Sequence, residues 1–427
     1  MRQGYLFYVN RTDELVIDNK KAILILLCLS VCISGWSWLT EPVQAASPST
    51  AIPNDVKARS YILLDERSGR VLAQKRADQS YAPASLTKIM TEYVVLEQIK
   101  QGKLSWKDPV RVSKNAARID EAQVFLEAGE KQSVRELFTA MAVYSANDAA
   151  VALAEHVAGS ETKFVSLMNQ KAKELGLKGT HFTNSTGLPK WSYPDYPDVK
   201  GKHVMSARDV AELTRRVLKD HREVLKIVSH PRYIFRKGKK GERILLNWNR
   251  MLPSFAYAYK GLDGFKTGHT REAGYGFAGS AKQKGFRVVS VVMGTKSKTA
   301  RFIETKKLLD YGFSRYKLVK LIQKKKAIAS KRQAPVKEGE SLSVPVVAKE
   351  SLTIPTIPQE NKHYRVQVKF AKRLQAPIAK GKVVGKAKIL YDGEEIPGVK
   401  SVDLIAGKSV EKATWWRLLF RSIFGED

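Results

Sequence analysis

The chain has 427 residues, 43% of them hydrophobic, which is enough for two packed domains with terminal segments. Its 74 Lys and Arg against 42 Asp and Glu give a net charge of +32, an excess that attracts polyanions. Two cysteines exclude a disulfide scaffold, the histidines lack metal-ligand spacing, and no phosphate-binding glycine loop or dinucleotide fingerprint occurs.

In chain order, the first feature is the apolar run Ala22–Leu39, behind Lys20-Lys21 and ahead of Val43-Gln44-Ala45. Positive charge, apolar run and small residues predict a secretory signal peptide, residues 1–45, cut after Ala45. An uncleaved anchor is the alternative, since 18 residues just span a bilayer; Ser30, Ser34, Gly35 and Ser37 dilute the run and favour cleavage. Asp13, Glu14 and Asp18 are unusual ahead of a signal and suit a true start nearer Leu15 or Val16. Cleavage removes Cys28 and Cys32 together, and leaves the net charge unchanged because residues 1–45 carry equal numbers of acidic and basic groups. An exported basic protein meets an anionic membrane surface or wall polymer rather than nucleic acid.

Residues 61–64 and 71–74 flank Ser68-Gly69 and predict a β-hairpin. Apolar residues at 86, 89, 90, 93, 94 and 96 predict a helix from Ser85 to about Gly102, behind Pro83. Further helices are expected at 134–143, 148–157, 208–218 and 302–309. A second hairpin is expected from 274–282 and 286–294, turning at Lys284-Gly285. Strands at both ends with helices between predict an α/β domain at 46–313, its antiparallel sheet built from the two chain ends. Residues 314–405, with short alternating runs broken by Gly and Pro, predict a small all-β domain. Residues 411–427 form an amphipathic helix: Trp416, Leu419, Phe420 and Ile423 make a stripe, widened by Trp415, Leu418 and Phe424, with Arg417 and Arg421 on the polar face. Such a helix suits the membrane interface; a core-packing or dimerisation helix is the alternative.

Three short motifs stand in order: Ser85-Leu86-Thr87-Lys88, Ser145-Ala146-Asn147 and Lys266-Thr267-Gly268, separated by 60 and 121 residues. Singly they are weak, because Ser160–Lys163, Ser314–Lys317 and Ser409–Lys412 also fit SxxK, and Ser113–Asn115 fits SxN. Together they supply a nucleophile, groups to move its proton, and a cationic clamp. Ser85 needs a base, and Lys88, three residues on along a helix, lies on its face. A lysine base must be neutral, which burial or a second cation such as Lys266 achieves. Ser145 offers a hydroxyl relay, and Asn147 an amide for lysine and substrate backbone. Lys266 supplies charge, Thr267 a hydroxyl for a carboxylate, and Gly268 room for substrate backbone. The backbone N–H groups of Ser85 and His269 form a candidate oxyanion hole; the His269 side chain reads as a polar loop residue. Taken alone, Ser85 would be a helix cap and Ser145-Ala146-Asn147 a turn.

These motifs sit in longer matches: APASLTK (82–88), SANDA (145–149), FTNSTGL (182–188), SARD (206–209), DGFKTGHT (263–270), AGY (273–275) and KLLDYGF (307–313). Over residues 50–313 the chain resembles the low-molecular-mass penicillin-binding proteins that act as D-alanyl-D-alanine carboxypeptidases, within the β-lactamase/transpeptidase-like superfamily. The β-rich region and tail resemble that family's C-terminal domain and membrane anchor. The resemblance implies that Ser85 attacks the carbonyl between two terminal D-alanines of a peptidoglycan stem peptide, with Lys88 as acylation base. It implies that Ser145, with Lys266 nearby, protonates the leaving D-alanine, and that Thr267 and Arg301 hold the terminal carboxylate. Water then frees the acyl-enzyme, with no metal and no cofactor, and β-lactams acylate Ser85 and leave slowly. The rival readings are a β-lactamase, a D,D-endopeptidase and a non-catalytic wall- or membrane-binding protein. No convincing deacylating-glutamate motif lies between Asn147 and Lys266, and intact Ser85 and Lys88 argue against a decayed site.

Overall fold

The computed structural model describes residues 55–329 and 331–424. The signal-peptide run and its cleavage point lie outside them. β1 (Ser60–Asp65) and β2 (Val71–Lys75) form the first hairpin, turned by Asp65, whose carboxylate accepts the Ser68 N–H at 2.7 Å. α1 (Lys88–Lys100) starts three residues later than the sequence predicts, because Ala84–Thr87 is a tighter 3₁₀ turn. α2 (Val134–Tyr144), α3 (Asn147–Ala158) and α5 (Ala207–Asp220) match predicted helices, while α4 (Glu161–Glu174), between α3 and α5, was not predicted. β3 (Leu262–Thr270), β4 (Gly274–Gln283), β5 (Phe286–Thr295) and α6 (Ala300–Arg315) complete the first half.

The sheet is antiparallel in the order β2-β1-β5-β4-β3, so the two ends of this domain meet where Ile62 pairs with Val291. β1 is buried at every position, as expected of a strand covered on both faces. Ile62 and Leu64 join a core with Ile89, Leu137 and Val210 from α1, α2 and α5. Tyr61 and Leu63 face the other way, onto Phe302, Leu308 and Leu309 of α6. Helices thus sandwich the sheet, the α/β class expected.

β6 (Lys317–Ile322), β7 (Gln333–Pro335), β8 (Ser343–Ala348), β9 (Leu352–Thr356), β10 (Tyr364–Phe370), β11 (Val383–Tyr391) and β12 (Val402–Ala406) build the all-β part. One sheet runs β7-β8-β12-β11-β10, and β6 pairs with β9. Alternation puts Val344, Val346 and Ala348 of β8 inside with Leu404 and Ala406 of β12. Arg70 ties the halves together: it donates to the Pro355 carbonyl and lies over the rings of Tyr316 and Tyr364, at 5.5 and 5.1 Å.

The final helix, α7 (Trp415–Phe424), corrects one expectation. Arg421 is not on a solvated polar face; it is 8% exposed and donates to the Gly339 carbonyl at 2.7 Å. That bond fastens α7 to the β-domain and leaves Trp415, Trp416, Phe420, Ile423 and Phe424 more than half exposed. No helix among the described residues is long and apolar enough to cross a membrane.

Candidate active site

Ser85 lies in the 3₁₀ turn before α1, held from two sides by glycines. Ala84 has φ 50°, and its carbonyl points at Gly187, where a Cβ would stand 1.8 Å from the oxygen. Gly187 itself has φ +86°, a region L side chains avoid. On the other side, a Cβ on Gly268 would stand 2.9 Å from the Pro83 carbonyl. The glycine of Lys266-Thr267-Gly268 therefore lets β3 pack against the Ser85 turn, a different reason from the substrate clearance read in the sequence. Thr87 adds a third tether: its hydroxyl is 2.7 Å from His203 Nε2, while His203 Nδ1 accepts the Thr183 N–H at 3.0 Å. Nδ1 accepts, so Nε2 carries the hydrogen and donates to Thr87. Burial holds His203 neutral, pushing its pKa down to about 3.

Lys88 opens α1 and is fully buried. Its Nζ lies 3.1 Å from Ser85 Oγ, 2.6 Å from Asn147 Oδ1 and 2.9 Å from the Thr186 carbonyl. Asn147 is oriented by its own amide, which donates to the Asp120 carbonyl at 2.8 Å, so Oδ1 must face the lysine. Both Asn147 Oδ1 and Thr186 O can only accept. A neutral amine gives them its two hydrogens and keeps its lone pair for the Ser85 hydroxyl. Burial first, and the Lys266 charge second, hold the Lys88 pKa well below the ordinary lysine value.

Ser145 follows α2 in the left-handed conformation, φ 68°. Asn147 is already the first residue of α3 rather than part of the turn. Trp248 pins this corner, donating from Nε1 to the Tyr144 carbonyl at 2.8 Å. Asp148 shapes the loop before it by accepting the N–H groups of Val124 and Leu126 at 3.0 and 3.1 Å.

Across the cleft, β3 carries Lys266, 2% exposed, whose ammonium donates to the Thr267 carbonyl at 3.2 Å. Burial lowers its pKa, Arg301 adds to that, and Glu92 opposes it. His269 is not a free loop residue; it stacks on its cross-strand partner Tyr275 at 4.0 Å. Arg301, on α6, is buried with its guanidinium 3.4 Å from the Gly268 carbonyl, and its Nε has no partner among the described residues. Desolvation lowers its pKa to about 10, so it is still a cation at neutral pH. A cleft of about 440 Å³ gathers Ser85, Ser145, Thr267, Gly268, His269 and Arg301, with Tyr144, Trp248, Tyr275, Glu121 and Lys298 around them. Lys88, Asn147 and Lys266 are not on its wall.

Several of these contributors carried no role in the sequence reading. FTNSTGL was visible only as a family match, yet its Thr186 carbonyl holds Lys88. Glu161, between Asn147 and Lys266, is spent on structure: one oxygen accepts the Ser185 N–H and hydroxyl and the Tyr193 hydroxyl, at 2.8, 2.6 and 3.0 Å. The surplus SxxK and SxN matches are partly cap chemistry. Ser160 and Ser113 accept the N–H groups of Lys163 and Ala116, at 3.3 and 2.9 Å.

Residues 44–297 match the model of the D-alanyl-D-alanine carboxypeptidase family, Peptidase S11. The chain belongs to that family. Residues 316–412 match the C-terminal domain of penicillin-binding protein 5. The chain is 35% identical over 339 residues to D-alanyl-D-alanine carboxypeptidase DacF of Bacillus subtilis, covering 79% of this chain and 82% of the relative. Penicillin-binding protein 5 from Haemophilus influenzae superposes with a TM-score of 0.72 at 34% identity, over 85% of this chain and all of that one. Penicillin-binding protein D2 from Listeria monocytogenes, solved in an ampicillin-bound form, gives 0.53 at 33% identity, over 61% of this chain and 99% of that one.

Proposed function

We propose that this family member is a serine-type D-alanyl-D-alanine carboxypeptidase that trims peptidoglycan stem peptides. One observation carries the reading: Lys88 Nζ has two obligate acceptors and Ser85 Oγ as its third neighbour. Lys88 takes the Ser85 proton as Oγ attacks the carbonyl between the two D-alanines. The N–H groups of Ser85 and His269 receive the developing oxyanion. The terminal carboxylate is bound by Thr267 and by the Arg301 cation, both of which line the cleft. Ser145, with Lys266 behind it, returns a proton to the departing D-alanine, and water hydrolyses the ester. The mixture of protein with an N-acylated peptide ending in D-Ala-D-Ala should accumulate free D-alanine; none released from any such peptide would overturn the reading. β-Lactams compete for the same serine, a reading supported by the ampicillin-bound relative of 33% identity.

The domain reading places a signal peptide at 1–45, the enzyme at 46–313, the β-domain at 314–405 and a peripheral anchor at 411–427, on the outer face of the cytoplasmic membrane. Exposed Trp415, Trp416, Phe420, Ile423 and Phe424 supply the apolar surface, worth about 25 cal/mol per Å² buried. Arg417 and the wider basic charge add roughly 1 kcal/mol per residue near an anionic surface. Arg421 instead fixes the helix to Gly339. Deleting residues 414–427 should release the protein from anionic vesicles in a sedimentation assay and leave hydrolysis of a soluble peptide unchanged. Continued sedimentation would assign binding to the rest of the basic surface.

A further inference from the structure

A second cavity, of about 370 Å³, lies where the β1–β2 turn, the end of α5 and the β4–β5 turn meet. Arg67, Arg215, Lys219, Arg222, Lys282 and Arg287 line it, and Glu66 is the one acidic residue on its wall. It shares no lining residue with the catalytic cleft. Lys282 stands seven residues along β4 from Tyr275 of the cleft, roughly 23 Å at the rise of a strand. Three of the six cations are fixed by carboxylates. Glu212 accepts from Arg215 at 2.7 and 2.6 Å, Asp263 from Arg287 at 2.8 and 2.7 Å, and Glu66 from Arg222 at 2.7 Å. The side chains of Arg67, Lys219 and Lys282 have no hydrogen bond or ion pair among the described residues.

We infer that this cavity is a binding site for an anion carrying two or more linked phosphates. Surface cations kept for solubility stand apart, because converging like charges repel and destabilise the fold. Here three cations without a carboxylate converge on one cavity, and the acids that hold Arg215 and Arg287 keep its wall in place. The free Arg67 guanidinium offers a planar fork that matches phosphate oxygens, and the Lys219 and Lys282 ammonium groups offer point charges. A single carboxylate would answer one of these three charges, whereas linked phosphates answer all of them. The net charge of +32 draws such anions to the whole surface, and the cavity decides where they settle.

Calorimetric titration of the full chain with inorganic tripolyphosphate at low salt tests the site. One saturable site per chain is expected, weakened about tenfold or more by Lys219→Ala with Lys282→Ala and, as a second variant, by Arg67→Ala. Lys237→Ala with Lys239→Ala removes the same charge from an exposed turn that does not line the cavity, and should leave binding unchanged. Circular dichroism of all three variants should match the native chain. Equal weakening by the 237/239 pair, or no saturable site in the native chain, would mean diffuse charge alone and overturn the inference. Sedimentation of the same variants with phosphatidylglycerol vesicles then identifies the source of the phosphate. Vesicle binding lost with the tripolyphosphate site assigns it to lipid headgroups, and vesicle binding retained assigns it to a soluble or polymer-borne phosphate.

Discussion

Ser85→Ala should take no covalent label from a β-lactam, and Lys88→Ala should take it about 10²–10⁴-fold more slowly than the native chain. The first follows from removing the proposed nucleophile, Ser85 Oγ. The second follows from removing the proposed base, Lys88, whose Nζ is held beside Ser85 by Asn147 and Thr186. Intact-mass spectrometry reads both, one as a missing adduct and the other as a slowed time course. Circular dichroism must match the native chain, because Lys88 fills buried space at the start of α1. An adduct that persists in Ser85→Ala would move the nucleophile elsewhere. Near-native acylation in Lys88→Ala would mean that another group takes the proton.

Gly187→Ala is the second large effect, and it leaves every proposed catalytic group untouched. The added Cβ would stand 1.8 Å from the Ala84 carbonyl and 2.7 Å from Thr87 Oγ1, at a residue with φ +86°. Overpacking against backbone costs about 1–3 kcal/mol and the left-handed conformation about 1–2 kcal/mol more. We expect a loss of roughly 3 kcal/mol in a denaturant melt, together with loss of acylation, because the clash falls on the turn that carries Ser85. Unchanged stability and labelling would show that the 182–188 loop moves aside freely. Gly102→Ala is a useful control: it shares a positive φ, +71°, but a Cβ there meets nothing within 4 Å.

The division between what sequence and structure each decide follows the range of the forces involved. The hairpins, α1–α3, α5 and the alternating strands were legible because periodic burial and local turn chemistry are written into neighbouring residues. The three motifs were legible as a set because their order and residue types are one-dimensional. α4 was passed over although Phe164, Val165, Met168 and Ala172 stand at helical spacing behind the Ser160 cap; the fold shows that face packed into the core. The packing role of Gly268 was not legible because the Pro83–Leu86 turn it packs against lies far away in sequence. Arg421 was misplaced on a polar face because a helical wheel cannot see the Gly339 carbonyl.

The sequence by itself determined which side chains were available for chemistry: two serines, two lysines, an asparagine and an arginine in fixed order. Only the tertiary structure decided their states. Folding dries the surroundings of Lys88 and brings the Lys266 charge to bear on it, and both hold its pKa well below the ordinary lysine value. Desolvation and through-space charge act between residues that the fold, not the chain order, makes neighbours.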